Sequence, residues 1–266
     1  MGQLEILRRD PPNPHPTPLL FVHGAWHGAW CWNDHFLDWF AERGFQVIAP
    51  SLRGHGGSGP ASRTHRLRHY AEDVRQVAAD LDSPPVLIGH SMGAYVVQHA
   101  LRQPGVGAAG ILVCPPPPGG VLGTALSVAR RHPFRFLWTN LVWRLGPLVD
   151  APHLAKELFL RDDAPEEVVV NLHHRLHDES YLAFLDMLFL DRPRAREVTV
   201  PIRVIGGSRD RVFPVASVQR VARAYGGTAI ILEDAAHDLM IDEAWPTAAQ
   251  QSERWIHELV PVDVQG

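Results

Sequence analysis

Lysine is nearly missing from this chain. Lys156 is the single one, and arginine supplies the rest of its 25 basic side chains. That bias is expected of a GC-rich bacterial genome and says nothing about activity. Cysteine is scarce too. Cys31 and Cys114 are the only two, and they stand far apart. That excludes a disulfide framework and any closely spaced metal-ligand motif, and it predicts free thiols in a reducing compartment. The N-terminal stretch has no basic start followed by an apolar core, so no signal peptide is expected. No apolar run approaches the roughly 20 residues of a membrane span. Neither sign of charge dominates, with a net charge of −4 and a pI near 6.5. Nothing there calls for nucleic acid or an anionic membrane. The expected protein is cytoplasmic. Its 266 residues, 45% hydrophobic and 20% charged, suffice for one large core.

What is present is organised around Val86-Leu87-Ile88-Gly89-His90-Ser91-Met92-Gly93. It reads as a short apolar strand, a tight turn on one serine, and the start of a helix. Gly-x-Ser-x-Gly in that setting is a nucleophile elbow, which lifts the serine hydroxyl clear of the backbone. Gly89 and Gly93 are needed where any Cβ would collide across the turn. The helix that follows aims its N–H groups at the same spot.

The chain around the elbow alternates strands and helices. Residues 3–8 suggest an edge strand, and five prolines between 11 and 18 then break regular structure. Leu19-Leu20-Phe21-Val22 is a continuous apolar run, as in a strand buried on both faces. Residues 45–49 predict the next strand, which leads into the loop Arg53-Gly54-His55-Gly56-Gly57-Ser58-Gly59. Leu67, Tyr70, Val74, Val77 and Leu81 keep helical spacing. Residues 109–114, 201–206 and 228–232 predict further strands, and a closing helix spans about 245–259. Such alternation implies an α/β fold, a doubly wound and mostly parallel sheet with helices on both faces.

Between about 115 and 197 no strand is expected. The stretch is read as a helical cap inserted into a core made of 1–114 and 198–266. Its aromatics, among them Phe134, Phe136, Trp138, Trp143, Phe159, Tyr181, Phe184 and Phe189, are expected mostly to form the cap's own core. Arg130, Arg131, Arg135 and Arg144 are expected on a solvated face. His173 and His177 share a helix-face spacing that can bind metal. Without a glutamate in a His-Glu-x-x-His pattern no metal is expected, and no cofactor.

A serine hydroxyl is a poor nucleophile at neutral pH. It needs a base in hydrogen-bond reach, and the base needs an orienting acid. In a doubly wound sheet these lie past the C-terminal ends of later strands. Two loops qualify, Gly207-Ser208-Arg209-Asp210 and Glu233-Asp234-Ala235-Ala236-His237-Asp238. The expected order is Ser91, Asp210, His237. Asp234, Asp238 and Asp242 are the alternative acids.

His23-Gly24, the elbow, Gly207 to Asp210 and the late His237 together resemble the α/β-hydrolase family over essentially the whole chain. That resemblance implies that Ser91 attacks a carbonyl, His237 moves its proton, and Asp210 orients the imidazole. It puts the cap after the sixth strand of the family pattern. It also implies an oxyanion hole from the backbone N–H groups of Met92 and Ala25. Gly24, Trp26 and His90 are expected to line the substrate pocket, with His55 at its mouth, while His23 is a structural hydrogen-bonder. The run His23 to Trp32 is similar to a subgroup of plant methyl esterases and hydroxynitrile lyases, shared by bacterial lysophospholipase-like proteins. Lyases of that subgroup carry a threonine and a lysine where this chain has Gly24 and Asp238. The chain also has Ser51 where the family's Gly-rich loop begins with aspartate. The expected activity is therefore a serine esterase on small to medium or lipid-like carboxylic esters. The alternatives are a C–C hydrolase, a thioesterase, or a ligand receptor on the same scaffold. The oligomeric state is not legible.

Overall fold

In the computed structural model, residues 3–261 are described. Met1, Gly2 and 262–266, which the expected domain bounds include, lie outside them. Seven strands form one sheet: β1 (Ile6–Arg9), β2 (Leu19–Val22), β3 (Val47–Pro50), β4 (Val86–His90), β5 (Ala109–Val113), β6 (Ile202–Gly207) and β7 (Ala229–Leu232). Their spatial order is β1-β3-β2-β4-β5-β6-β7. Among the described residues only β1 runs antiparallel, paired with β3 at the edge, and every other pairing is parallel. The strand before the insertion, sixth in the family pattern, is thus the fifth here.

The continuous apolar runs are explained by burial on two faces. Along β2, Leu20 and Val22 face one core, while Leu19 and Phe21 face the other. The first core is closed by helices Leu67–Ala79, Met92–Ala100 and Val215–Ala224. The second is closed by Phe36–Ala41 and Trp245–Leu259. Fully burying a leucine or phenylalanine is worth about 1.5–3 kcal/mol, so neither face of β2 tolerates a polar residue cheaply. β4 lies between β2 and β5 in the middle of this sandwich. The loop after it is therefore supported from both sides.

From Leu122 to Glu197 the chain is helical, with its longer helices at Leu122–Arg131, Pro133–Val142, Pro152–Phe159 and Glu166–Arg175. No strand interrupts it among the described residues. It has a small core of its own, built on Val128, Ala155, Leu158, Phe159, Val169 and Leu172. The aromatics depart from expectation. Phe159 and Tyr181 are buried, but Phe134, Trp138, Trp143 and Phe189 are exposed, Phe134 by 86%. Helix Pro133–Val142 buries only Thr139. Three of the four arginines are ion-paired within the insertion, Arg131 to Glu157, Arg135 to Asp150 and Arg144 to Asp178. No helix among the described residues is long and apolar enough to cross a membrane.

Candidate active site

Ser91 joins β4 to the helix Met92–Ala100 with φ 51° and ψ −121°. A non-glycine residue at such a conformation stores on the order of 1–3 kcal/mol and persists only where its surroundings over-determine it. Here they do. The Ser91 N–H continues the sheet ladder by donating to the Val113 carbonyl at 2.9 Å. A Cβ on Gly89 would lie 2.5 Å from the Gly93 oxygen, and one on Gly93 would strike the Val22 and His23 carbonyls. The turn therefore closes only with both glycines. Ser91 itself is 8% exposed.

The loops after β6 and β7 meet backbone to backbone at Gly207. A Cβ there would run into the Ala235 carbonyl and come within 2.5 Å of the Ala236 oxygen. This approach brings Asp210 and His237 together. The Ser91 hydroxyl donates to His237 Nε2 at 2.9 Å, and His237 Nδ1–H donates to Asp210 Oδ2 at 2.8 Å. Asp210 Oδ1 accepts the N–H groups of Val212 and Phe213 at 2.7 and 2.8 Å, which fixes the carboxylate plane. Burial disfavours charge on His237. The Asp210 charge and hydrogen bond, helped by Asp238, outweigh it and raise the imidazole pKa above its ordinary value. Such a chain can take a proton from the hydroxyl and hold the resulting imidazolium.

The alternative acids are occupied elsewhere. Asp234 is exposed and bonds Arg209. Asp242 accepts from the Ala236 and Ala244 N–H groups. Asp238 is fully buried against His27, with its Oδ2 3.0 Å from His27 Nε2.

The loop after β2 reaches Ser91 directly. A Cβ on Gly24 would sit 3.1 Å from the Ser91 Cβ and 2.9 Å from His90 Nδ1. His23 is held as one neutral tautomer. Its Nδ1–H donates to the Gly24 carbonyl at 2.8 Å, and its Nε2 accepts the Leu52 N–H at 2.9 Å. Burial pushes its pKa well below the ordinary value, so it stays neutral. His23 thereby orients the peptide that ends in the Ala25 N–H. Met92, which carries the other expected donor, opens the helix beside Ser91.

The expected pocket residues separate. Gly24 lies against Ser91, whereas Trp26 packs on Phe159 of the insertion at 5.8 Å between ring centroids. His90 is buried beneath it, with its Nε2 donating to the His237 carbonyl at 3.1 Å. His55 is equally buried, at 2% exposure, and faces Glu179 rather than an opening. Phe159 and Phe213 pack on the His237 ring. Among the described residues, two groups have ligand-type atoms close enough to share a metal: His90, His237 and Asp238, and Cys114, Asp210 and His237. Both draw on His237, whose two nitrogens already serve Ser91 and Asp210.

Three residues here were invisible to motif reading. Glu5 joins Ser51, which stands where the family's loop begins with aspartate, to the Gly-rich loop. Its carboxylate accepts the Ser51 hydroxyl at 2.5 Å and the Gly57 N–H at 3.0 Å, while Ser51 Oγ accepts the Ala29 N–H at 2.9 Å. His27 and Glu179 are the others. His27 does lie in the distinctive run after β2, but Glu179 carries no local signal at all.

A family model described as the alpha/beta hydrolase family matches residues 19–249. The chain is 38% identical to a non-heme chloroperoxidase of Streptomyces lividans over 216 residues, 75% of this chain and 76% of the relative. It is 27% identical to protein ABHD8 of Mus musculus over 84% of this chain, and spans about half the length of that relative. Among solved structures, a putative non-heme bromoperoxidase, BpoC, of Mycobacterium tuberculosis superposes with a TM-score of 0.77 at 21% identity, covering 97% of both chains.

Proposed function

The chain belongs to the alpha/beta hydrolase family, and from that premise we propose that it hydrolyses carboxylic esters through an acyl-enzyme on Ser91. The observation that carries the reading is the unbroken chain of Ser91 Oγ, His237 and Asp210 at 2.9 and 2.8 Å. Ser91 Oγ attacks the ester carbonyl carbon while His237 Nε2 takes its proton. The carbonyl oxygen becomes an oxyanion facing the N–H groups of Ala25 and Met92. Collapse expels the alcohol, which His237 protonates, and leaves the acyl group on Ser91. A water activated by the same imidazole then releases the acid. Asp210 holds the Nδ1–H tautomer and offsets the charge of the imidazolium.

The insertion at 115–197 acts as a cap. Its Phe159 packs on His237, and an apolar wall there suits an uncharged acyl or alcohol group. The substrates are small to medium or lipid-like esters, as in the methyl esterase and lysophospholipase-like proteins the loop after β2 resembles. Asp238 favours hydrolysis over lyase chemistry because its side chain is turned onto His27. Ser91→Ala is expected to lose p-nitrophenyl ester turnover by roughly a thousandfold or more with an unchanged melting curve. A fluorophosphonate probe is expected to label Ser91 stoichiometrically in the unaltered protein. Turnover that survives Ser91→Ala sinks the assignment.

A further inference from the structure

Glu179 is a buried carboxylate that the proposed reaction does not use. It lies within the insertion, between the helices Glu166–Arg175 and Tyr181–Leu185, and is 1% exposed. Burying a carboxylate is costly unless its lone pairs are filled, and here four donors fill them. Oε1 accepts the Tyr70 hydroxyl at 2.9 Å and the Ser180 N–H at 2.6 Å. Oε2 accepts from His55 Nε2 at 2.9 Å and from the backbone N–H of Trp26 at 3.4 Å. The other ring nitrogen of His55 faces the Arg53 carbonyl at 3.2 Å. Both His55 nitrogens therefore face acceptors.

The contact with Trp26 is the informative one. Trp26 follows Ala25 in the loop that reaches Ser91, and its φ of 64° is one that a tryptophan rarely adopts. The insertion grips it three times: Glu179 takes its N–H, His177 N–H donates to its carbonyl at 2.8 Å, and its indole N–H donates to the Leu145 carbonyl at 3.3 Å. The carbonyl of the same Ala25–Trp26 peptide accepts from His27 Nδ1 at 2.7 Å, and His27 in turn leans on Asp238, the neighbour of His237. The peptide is thus held at both poles, one by a core histidine and one by a carboxylate of the insertion.

We propose that Glu179 is a positioning residue that aligns the oxyanion hole, by clamping the Ala25–Trp26 peptide so that the preceding Ala25 N–H points at the developing oxyanion. The helical insertion then does more than shape a pocket. Only when it is seated on the core does the second oxyanion donor take its working direction. This rests on the serine hydrolase reading above, and the test keeps the two apart.

An alkyl trifluoromethyl ketone is the probe. Ser91 Oγ adds to its carbonyl carbon, the proton passes to His237, and the oxygen becomes an anion in the hole. In Glu179→Ala, kcat on a p-nitrophenyl ester is expected to fall roughly 10- to 100-fold, per active site titrated with fluorophosphonate. KM stays within about twofold, and the ketone Ki rises by the same factor as kcat/KM falls. Glu179→Gln, which keeps an oxygen for the Trp26 N–H, is expected to show the same parallel shift, smaller but at least about threefold. It serves as the test if the alanine variant does not fold. A role confined to stability lowers the melting temperature and the titratable fraction but leaves Ki per active site unmoved, and that result overturns the proposal. So does kcat falling without Ki rising. Failure of the Ser91→Ala test overturns the hydrolase reading instead, whatever Glu179 does.

Discussion

At the scale of single residues, the site is built on two lines of hydrogen bonds. Ser91, His237 and Asp210 form one line, and His23 forms a second by bridging the Gly24 carbonyl and the Leu52 N–H. Replacing Asp210 by asparagine keeps the shape but presents a donor or a neutral oxygen to His237 Nδ1. Asp210→Asn is expected to lower kcat by roughly 10³- to 10⁴-fold, and Asp238→Asn by far less. Equal losses in the two would reassign the acid. The same carboxylate governs pH dependence. In the proposed reaction His237 must be neutral to act as base, and its pKa is raised, with burial opposing and the Asp210 charge prevailing. Activity is therefore lost as pH falls through a midpoint above the ordinary imidazole value of about 6.5. A kcat/KM profile with its acid limb below that value would contradict the pairing.

At the scale of elements, the decisive contacts are between loops at the C-terminal edge of the sheet. Gly207 ends β6, and its missing side chain lets the loop after β7 lie against it. Gly207→Ala pushes the Ala235–Ala236 backbone away and with it His237, which follows directly. A shift of about 1 Å there is expected to cost on the order of 100-fold in kcat and about 1–3 kcal/mol in stability. An active Gly207→Ala variant of unchanged melting temperature would show that the two loops are not so tightly apposed. The insertion is anchored to the core by buried acids of its own. Asp186 accepts both from Arg66 and from the Leu67 N–H that opens the helix Leu67–Ala79, and Glu179 reaches Tyr70 on that same helix.

At the scale of the whole molecule, core and insertion share a buried ion pair, and its pH window can be stated. Burial works against charge on both partners, but the attraction of Glu179 outweighs it and raises the His55 pKa. The charge and hydrogen bond of His55 likewise lower that of Glu179. The His55 contribution is complete below the unfolded imidazole value and is lost as pH rises through its raised folded pKa. The Glu179 contribution is complete above the unfolded carboxylate value and is lost as pH falls through its lowered folded pKa. The melting-temperature gap between the unaltered protein and Glu179→Gln is therefore expected to be widest at about pH 5–6 and to narrow in alkali. A gap that widens steadily to pH 9 would mean the pair is not ionic.

Much of this was legible in the amino-acid order. Apolar runs of four or five residues report strands covered on both faces, because that pattern depends only on neighbours in the chain. Gly89-x-Ser91-x-Gly93 reports the elbow for the same reason, since its steric demands arise within five residues. Chain order placed Asp210 and His237 on loops after late strands, and their meeting at Ser91 followed from the parallel sheet. The rest lay beyond local pattern. Glu5 bonded to Ser51, His27 bonded to Asp238, and Glu179 closing on Trp26 join residues 46, 211 and 153 positions apart. No spacing rule links such pairs, because what selects them is the requirement that a buried polar atom find a partner once the helices have packed. The sequence by itself determined the sheet, the elbow and the candidate acid and base. Only the tertiary structure decided which carboxylate hydrogen-bonds His237, which aromatics of the insertion stay exposed, and that a carboxylate of the insertion reaches the loop beside Ser91.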